Sequence, residues 1–189
     1  MFWKRAIGCA VCFVCAVSGL MTGEPAKGGG TPPDVRARAS RILSESGVKG
    51  GLVVHLGCGE GTLTAALCAD DSFRVHGLDE DSADIKQARR HIRSLRLDAR
   101  ASVEQWGGRN LPYVDNLVDL VVCDEPLPLH MDEVMRVLSP HGVAYVKQGD
   151  RWVKRMKPWP DDIDDWTHYL HDASGNAVAR DTRVAPPRH

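Results

Sequence analysis

Short apolar runs alternate with segments of helical periodicity along the central part of the chain, and this alternation is its main structural signal. The apolar runs predict five strands, at residues 52–56, 73–78, 101–104, 117–123 and 143–147. The segments with apolar residues at helical spacing predict four helices, at residues 34–46, 62–69, 82–95 and 131–138. Strands that alternate with helices imply an α/β fold with a doubly wound, mainly parallel sheet.

Three glycines at every second position, Gly57, Gly59 and Gly61, separate the first predicted strand from the helix that follows it. Glycine permits a positive φ and lets a ligand approach the main chain without a Cβ in the way. The start of the helix adds unpaired N–H groups and the positive end of the helix dipole. We interpret this segment, which includes Cys58, as a ligand cradle. The alternative is an ordinary tight turn between a strand and a helix.

An acidic residue, Asp79, ends the second predicted strand, and Glu80 follows it. A carboxylate at this place in a nucleotide-binding α/β fold accepts hydrogen bonds from both hydroxyls of a ribose. The alternative is an acid near a helix N-terminus, because Asp81 and Ser82 open the next predicted helix. We favour the ribose role for Asp79 because the glycine loop lies upstream.

Several segments resemble motifs of the class I S-adenosylmethionine (SAM) dependent methyltransferases. They are the glycine loop itself, Val75–Asp79, Leu111–Asn116 followed by Val118–Val121, and Glu133–Gly142. They occur in the family's order across residues 52–147. The resemblance implies a Rossmann-like methyltransferase sheet with SAM lying over the glycine loop and its ribose on the acid of the second strand. The site residues that it implies are His55, Gly57, Cys58, Gly59, Gly61, Asp79, Glu80 and Trp106. No catalytic residue is indicated.

Three departures from this family bear on activity. His55 stands where the family usually has an acid that orients the amino group of SAM. Trp106 lies where the family usually has an aspartate that contacts adenine, and its indole is a candidate stacking surface. The family sheet has seven strands, but no pair of strand-like runs follows Lys147. The sequence therefore predicts a sheet that lacks the last two strands, within a methyltransferase-like domain at residues 34–149.

The first 19 residues have the layout of a secretory signal peptide. Lys4 and Arg5 precede an apolar run from Ala6 to Val17, which is short for a membrane span, and small residues follow it. Residues 20–33 are rich in glycine, proline and lysine and are expected to form a linker. We therefore expect export, in particular to the periplasm, with an uncleaved membrane anchor as the alternative.

The segment from residue 150 to 189 differs in composition from the rest of the chain. It resembles the junction in exported bacterial proteins where a methyltransferase-like domain leads into a pyrroloquinoline-quinone-type (PQQ-like) β-propeller. The resemblance makes a fused or partner propeller the expected neighbour, without which the segment would be poorly ordered. His168, His171 and Asp172 have the spacing of a metal site. We favour hydrogen bonding within a loop for these residues and predict no metal.

Charge and cysteine content narrow the alternatives. The net charge of −1 gives no basic field for nucleic acid, and the arginines on the third predicted helix are interpreted as a solvated face. Beyond the leader the chain has three cysteines, Cys58, Cys68 and Cys123. Cys58 and Cys123 end neighbouring strands in the predicted sheet, so a disulfide between them is conceivable. We favour free buried thiols.

Two functions are consistent with these patterns. One is a SAM-dependent methyltransferase that transfers a methyl group to an acceptor that the sequence does not identify. The alternative is an inactive Rossmann-like binding or adaptor module at the N-terminal end of an exported propeller protein. Export favours the module, because SAM is made in the cytoplasm. The missing strands favour it as well. The glycine loop and Asp79 favour the enzyme.

Overall fold

The computed structural model describes residues 31–108, 110–125, 129–164, 169–171, 173–175 and 178. In these residues the helices are α1 (Pro33–Ser46), α2 (Thr62–Leu67), α3 (Ser82–Ser94) and α4 (Met131–Val137). The strands are β1 (Gly51–Leu56), β2 (Phe73–Asp79), β3 (Ala101–Gln105), β4 (Val118–Cys123), β5 (Leu138–Gln148) and β6 (Arg151–Met156). The alternation predicted from the sequence is confirmed through β5.

The six strands form one sheet in the order β3-β2-β1-β4-β5-β6. The first five strands run parallel, and β6 pairs antiparallel with β5. At the carboxyl end of β1, Leu56 pairs with Leu78 of β2 on one side and with Cys123 of β4 on the other. The strand order reverses beside β1, where an open α/β sheet forms its ligand crevice.

The strands read as apolar runs because both faces of the sheet are covered. Val53 and Leu120 belong to a core on the side of the first three helices. Val54, Leu56 and Val121 belong to a second core on the side of α4. All five side chains are fully buried. Burial on both faces removes the alternation of polar and apolar residues that marks a half-exposed strand, so the positions of β1 and β4 follow directly from the sequence.

The helix ends follow from local chemistry. α1 ends at Gly47, whose φ is 79° and whose N–H donates to the carbonyl of Leu43. α3 begins at Asp81, whose carboxylate accepts the N–H of Ala83. In the part of the chain that the structure describes, no helix combines the length and apolar character that a membrane crossing requires.

The predicted start of the fifth strand is wrong. β5 begins at Leu138, five residues before the predicted start, and therefore contains Pro140 and Gly142, two residue types that usually interrupt a strand. A register shift between Val118 and Leu120 of β4 accommodates this irregular stretch. A Cβ on Gly142 would lie 2.9 Å from the carbonyl oxygen of Val118, so close approach of the two strands explains the glycine.

The prediction that the sheet lacks its last two strands is wrong for one of them. β6 extends the sheet to Met156, beyond the predicted domain boundary at residue 149, and orders part of the segment that was expected to be poorly ordered. Trp152 of β6 stacks on Tyr145 of β5, with their ring centroids 4.8 Å apart. The strand lies at the edge of the sheet and its residues are exposed or half-buried, so it lacks the apolar run of a central strand.

Candidate functional site

A cleft of about 270 Å³ opens at the carboxyl edge of the sheet, where β1, β2 and β4 end. Its lining consists of Gly57, Leu78, Asp79, Glu80, Trp106, Cys123 and Glu125. Three of these residues carry carboxylates and none is basic. The cleft therefore favours a ligand that presents hydrogen-bond donors or positive charge.

The three glycines of the loop have different physical roles. All have positive φ, at 69° for Gly57, 48° for Gly59 and 77° for Gly61. A Cβ on Gly61 would lie 2.7 Å from the Cβ of Ala88, so this glycine lets α2 and α3 pack together. A Cβ on Gly59 would have no atom within 4 Å, so the main chain there faces open space. Gly59 is thus the loop glycine most open to a ligand.

Asp79 links the glycine loop to the next helix. One of its carboxylate oxygens accepts the N–H of Gly59 at 2.8 Å, and the other accepts the N–H of Asp81 at 3.0 Å. Each carboxylate oxygen has more than one lone pair. Asp79 can therefore hold the loop and still accept hydrogen bonds from a ligand in the cleft that it lines.

Trp106 and Glu80 form the side of the cleft next to β3. The indole N–H of Trp106 donates to the carbonyl of Asn110 at 2.8 Å, and the ring packs against the core on the α4 side. Glu80 curves toward Gly108, where a Cβ would lie 2.6 Å from its Oε1. The hydrogen bond and the packing hold the Trp106 ring at the cleft wall.

His55 is buried and lies in a polar network outside the cleft lining. Its Nδ1 lies 2.9 Å from Thr64 Oγ1 in α2, and its Nε2 lies 3.4 Å from Asp124 Oδ1 beyond β4. The other Asp124 oxygen lies 3.2 Å from a guanidinium nitrogen of Arg38 in α1. The histidine thus connects β1 to three neighbouring segments instead of presenting its ring to a ligand.

The same network sets the charge of Asp124. Burial alone would raise the pKa of this carboxyl group. Hydrogen bonding and electrostatic attraction from His55, together with the charge of Arg38, hold the pKa below its usual value. Asp124 is therefore an ionised group with its partners already in place.

Cys58 and Cys123 are free thiols, as favoured from the sequence. They belong to the cores on opposite faces of the sheet, which explains why neighbouring strand ends do not bring them together. Burial raises the pKa of Cys58 to about 12, and the charge of Asp79 adds to the effect. Burial likewise raises the pKa of Cys123 to about 11.

The segment before β4 is clamped from α4. Arg136 donates to Glu133 Oε1 at 2.7 Å and to Asp115 Oδ1 at 2.6 Å, and also to the carbonyls of Leu111 and Tyr113. Glu133 in turn accepts the N–H of Leu111 at 2.7 Å. These two residues of the E-V-M-R segment thereby fix the L-P-Y-V-D-N segment, and both lie outside the cleft lining.

The predicted site residues divide into two groups in the structure. Four of them, Gly57, Asp79, Glu80 and Trp106, line the cleft. The other four do not, namely His55, Cys58, Gly59 and Gly61. Sequence reasoning missed Glu125, which also lines the cleft. Its position could have indicated this role, because Asp124 and Glu125 directly follow the fourth strand, at the edge of the sheet where ligands bind.

The metal alternative in the tail involves residues at the edge of the described part. His168 and Asp172 lie outside the described residues. His171 is buried and its Nε2 lies 2.5 Å from Asp164 Oδ2. In the described residues no three histidine, cysteine, aspartate or glutamate side chains form a metal-like group.

Comparisons with known proteins agree on the kind of domain. A family model described as a methyltransferase domain matches residues 53–142. A search of curated proteins finds no sequence match. A solved structure of a candidate SAM-dependent methyltransferase from Methanococcus maripaludis is 26% identical, with a TM-score of 0.56; the match covers 60% of this chain and 55% of that one.

Two further solved structures share the fold at lower identity. A candidate sarcosine dimethylglycine methyltransferase from Galdieria sulphuraria is 20% identical (TM-score 0.53), with 60% of this chain and 46% of that chain covered. Geranyl diphosphate C-methyltransferase from Streptomyces coelicolor A3(2), solved with Mg²⁺, geranyl diphosphate and S-adenosyl-L-homocysteine, is 20% identical (TM-score 0.53), with 58% and 44% covered. The chain spans about half the length of these proteins. The chain therefore has a Rossmann-like methyltransferase fold, and its residues 53–142 match the model of a methyltransferase domain.

Proposed function

We propose that this protein binds SAM in the cleft at the carboxyl edge of the sheet. The observation that carries the proposal is the lining itself, which has three carboxylates and no basic side chain, with the sterically open main chain of Gly59 bonded to one of those carboxylates. Carboxylates can stabilise the positive sulfonium, the ammonium group and the two ribose hydroxyls of SAM, whereas the carboxylate of SAM itself must lie away from these three side chains.

The charge of the cleft also separates SAM from phosphate-bearing ligands. A pyrophosphate needs backbone N–H groups at a helix N-terminus or basic side chains to balance its charge. Here the N–H of Gly59 donates to Asp79, and carboxylates line the adjoining space. A dinucleotide phosphate in this cleft would face like charge.

The residues present fit SAM in a consistent order across the strand ends. Asp79, at the end of β2, is placed to accept the ribose hydroxyls. Trp106, after β3, offers a ring face beside that position, and the loop around Gly59 offers its main chain. When bound, SAM supplies an electrophilic methyl group to a nucleophile on an acceptor, and the protein's contribution is to position the two.

A binding module without methyl transfer is the second candidate, and His55 favours it. The resemblance implies an acid at this position, directed at the amino group of SAM. The histidine side chain is instead buried against Thr64 and Asp124. Incubation with methyl-labelled SAM and an extract of the native host separates the candidates, because only an enzyme moves label to an acceptor.

Calorimetric titration of the purified protein with SAM tests the proposal. We expect wild-type protein to bind and Gly59→Val to lose binding, since the new side chain fills the open space beside the loop. Gly149→Val is the matched control, because Gly149 also has positive φ (59°) and open surroundings but lies in the β5–β6 turn. Both substitutions strain the backbone by roughly 1–2 kcal/mol. Equal SAM affinity in the two variants would remove the glycine loop from the site.

A further inference from the structure

Glu125 is a cleft residue whose carboxylate has no hydrogen-bonding or ionic partner in the described part of the chain. It follows β4 by two positions and is exposed. Its side chain reaches back toward the loop, since a Cβ on Gly57 would lie 3.6 Å from Glu125 Oε2. No hydrogen bond or ion pair joins its carboxylate to another described residue. Its negative charge therefore faces the cleft uncompensated.

The preceding residue provides a direct contrast. Asp124 is also acidic, but its two oxygens face His55 and Arg38 at 3.4 Å and 3.2 Å. Two consecutive carboxylates after one strand thus differ in whether another side chain pairs with them. The negative charge of Asp124 is compensated by Arg38 of α1 and by His55 of β1. The side chain of Glu125 instead faces the cleft. The ion pairs of Asp124 explain why the fold needs a carboxylate at that position. No such contact explains the carboxylate of Glu125.

The strand order indicates which part of a ligand Glu125 would meet. Asp79 ends β2, Trp106 follows β3, and Gly57 and Glu125 follow β1 and β4 on the opposite side. If the ribose lies at Asp79 and the adenine toward Trp106, the methionine part of SAM, which begins at the sulfonium, extends toward Gly57 and Glu125. Neighbouring strands are about 4.8 Å apart, which keeps this side within reach of the same small ligand.

From this arrangement we propose that Glu125 is a specificity-determining residue that selects the cationic cofactor SAM over its neutral thioether product, S-adenosylhomocysteine (SAH). The inference rests on the proposed function. The two ligands differ by one methyl group and one positive charge, so a carboxylate near the sulfur stabilises only the first. A cleft with this preference binds the methyl donor and releases the demethylated form.

The test compares the affinities of SAM and SAH in variants of the full-length protein by calorimetry. In Glu125→Gln, we expect the dissociation constant for SAM to rise roughly three- to tenfold, the range for a solvent-screened charge contact. The constant for SAH should stay the same. Glu125→Asp keeps the charge and should keep the preference for SAM. Glu60→Gln is the control, since Glu60 is an exposed glutamate of the glycine loop that does not line the cleft.

Salt dependence gives an independent measurement on wild-type protein. The preference for SAM over SAH should shrink as ionic strength rises, because salt screens a charge contact but not the shared contacts of the two ligands. A preference that is unchanged in Glu125→Gln, or that falls equally in Glu60→Gln, would overturn this inference while leaving the proposed function in place. Failure of wild-type protein to bind either ligand would overturn both.

Discussion

At the scale of single residues, burial decides what the cysteines beside the cleft can do. The side chains of Cys58 and Cys123 are 5% and 1% exposed. A thiol reacts as its thiolate, so pKa values raised to about 12 and about 11 leave almost none of the reactive form near neutral pH. Both residues therefore act as small apolar packing groups.

The first prediction concerns these thiols. In folded protein at pH 8, a thiol reagent should label Cys58, Cys68 and Cys123 slowly, because all three are buried and their pKa values are raised. After unfolding without reductant, all three should react rapidly, as measured by mass spectrometry of labelled peptides. A sample reduced before unfolding is the control and should give the same labelling. Protection of Cys58 and Cys123 that reductant removes would show a disulfide instead.

At the scale of elements, α4 does more than cover one face of the sheet. Glu133 and Arg136 lie one turn apart on it, and together they hold the segment at residues 111–115 that leads toward β4. The hydrogen bond with Arg136 lowers the pKa of Glu133. The folded protein therefore binds a proton at Glu133 less readily than the unfolded chain does.

This linkage predicts how Glu133→Gln changes stability with pH. Because the folded pKa lies below the usual value of 4.5, the contribution of Glu133 is fully present above about pH 5 and is lost as pH falls through the folded pKa. At pH 7 the variant should lose roughly 1.5–3 kcal/mol of unfolding free energy, as expected for hydrogen bonds to a charged group. Urea unfolding at pH 7 and below pH 4 measures the difference, which should shrink in acid.

Glu60→Gln serves as the control for this experiment, because Glu60 is exposed and has no such clamp. A destabilisation by Glu133→Gln that is independent of pH would contradict the linkage. It would show that the side chain contributes through packing rather than through its charge.

The elements also show what sequence patterns capture and what they miss. β1 and β4 are buried on both faces, so their apolar runs identify them unambiguously. β6 is an edge strand with basic and aromatic residues, and only its pairing with β5 makes it a strand. The early start of β5 likewise depends on Val118 of β4, to which Leu138 pairs. Pairing between distant segments is not encoded in local periodicity.

The candidate site also depends in part on contacts between segments that are distant in the sequence. Gly57, Asp79 and Trp106 were placed by a local motif, a strand end and a resemblance, and the structure brings them to one cleft. His55 was assigned by its position in the motif, but its environment is set by Thr64 and Asp124 from other elements. Glu125 was missed because its approach to Gly57 depends on β4 lying beside β1.

At the scale of the whole molecule, the chain is shorter than the solved structures that share its fold. The chain spans about half the length of the solved structures that it resembles. In the described residues β6 is the edge strand of the sheet. We propose that a PQQ-like propeller is the neighbour of this domain, as the resemblance of residues 150–189 implies.

We also propose that the protein is exported, and this leads to the last prediction. The basic residues Lys4 and Arg5, followed by the apolar run to Val17 and then small residues, are the features that a signal peptidase pathway recognises. Mass spectrometry of protein from the native host should find an N-terminus near Gly19 or Leu20. Val14→Arg, which places a charge in the apolar run, should leave Met1 in place, whereas Val14→Leu should be processed normally. Intact Met1 on wild-type protein in a soluble cytoplasmic fraction would contradict export and favour the enzyme, because the cofactor is made there. A processed chain would favour the binding module, because the cleft would then act away from the SAM supply.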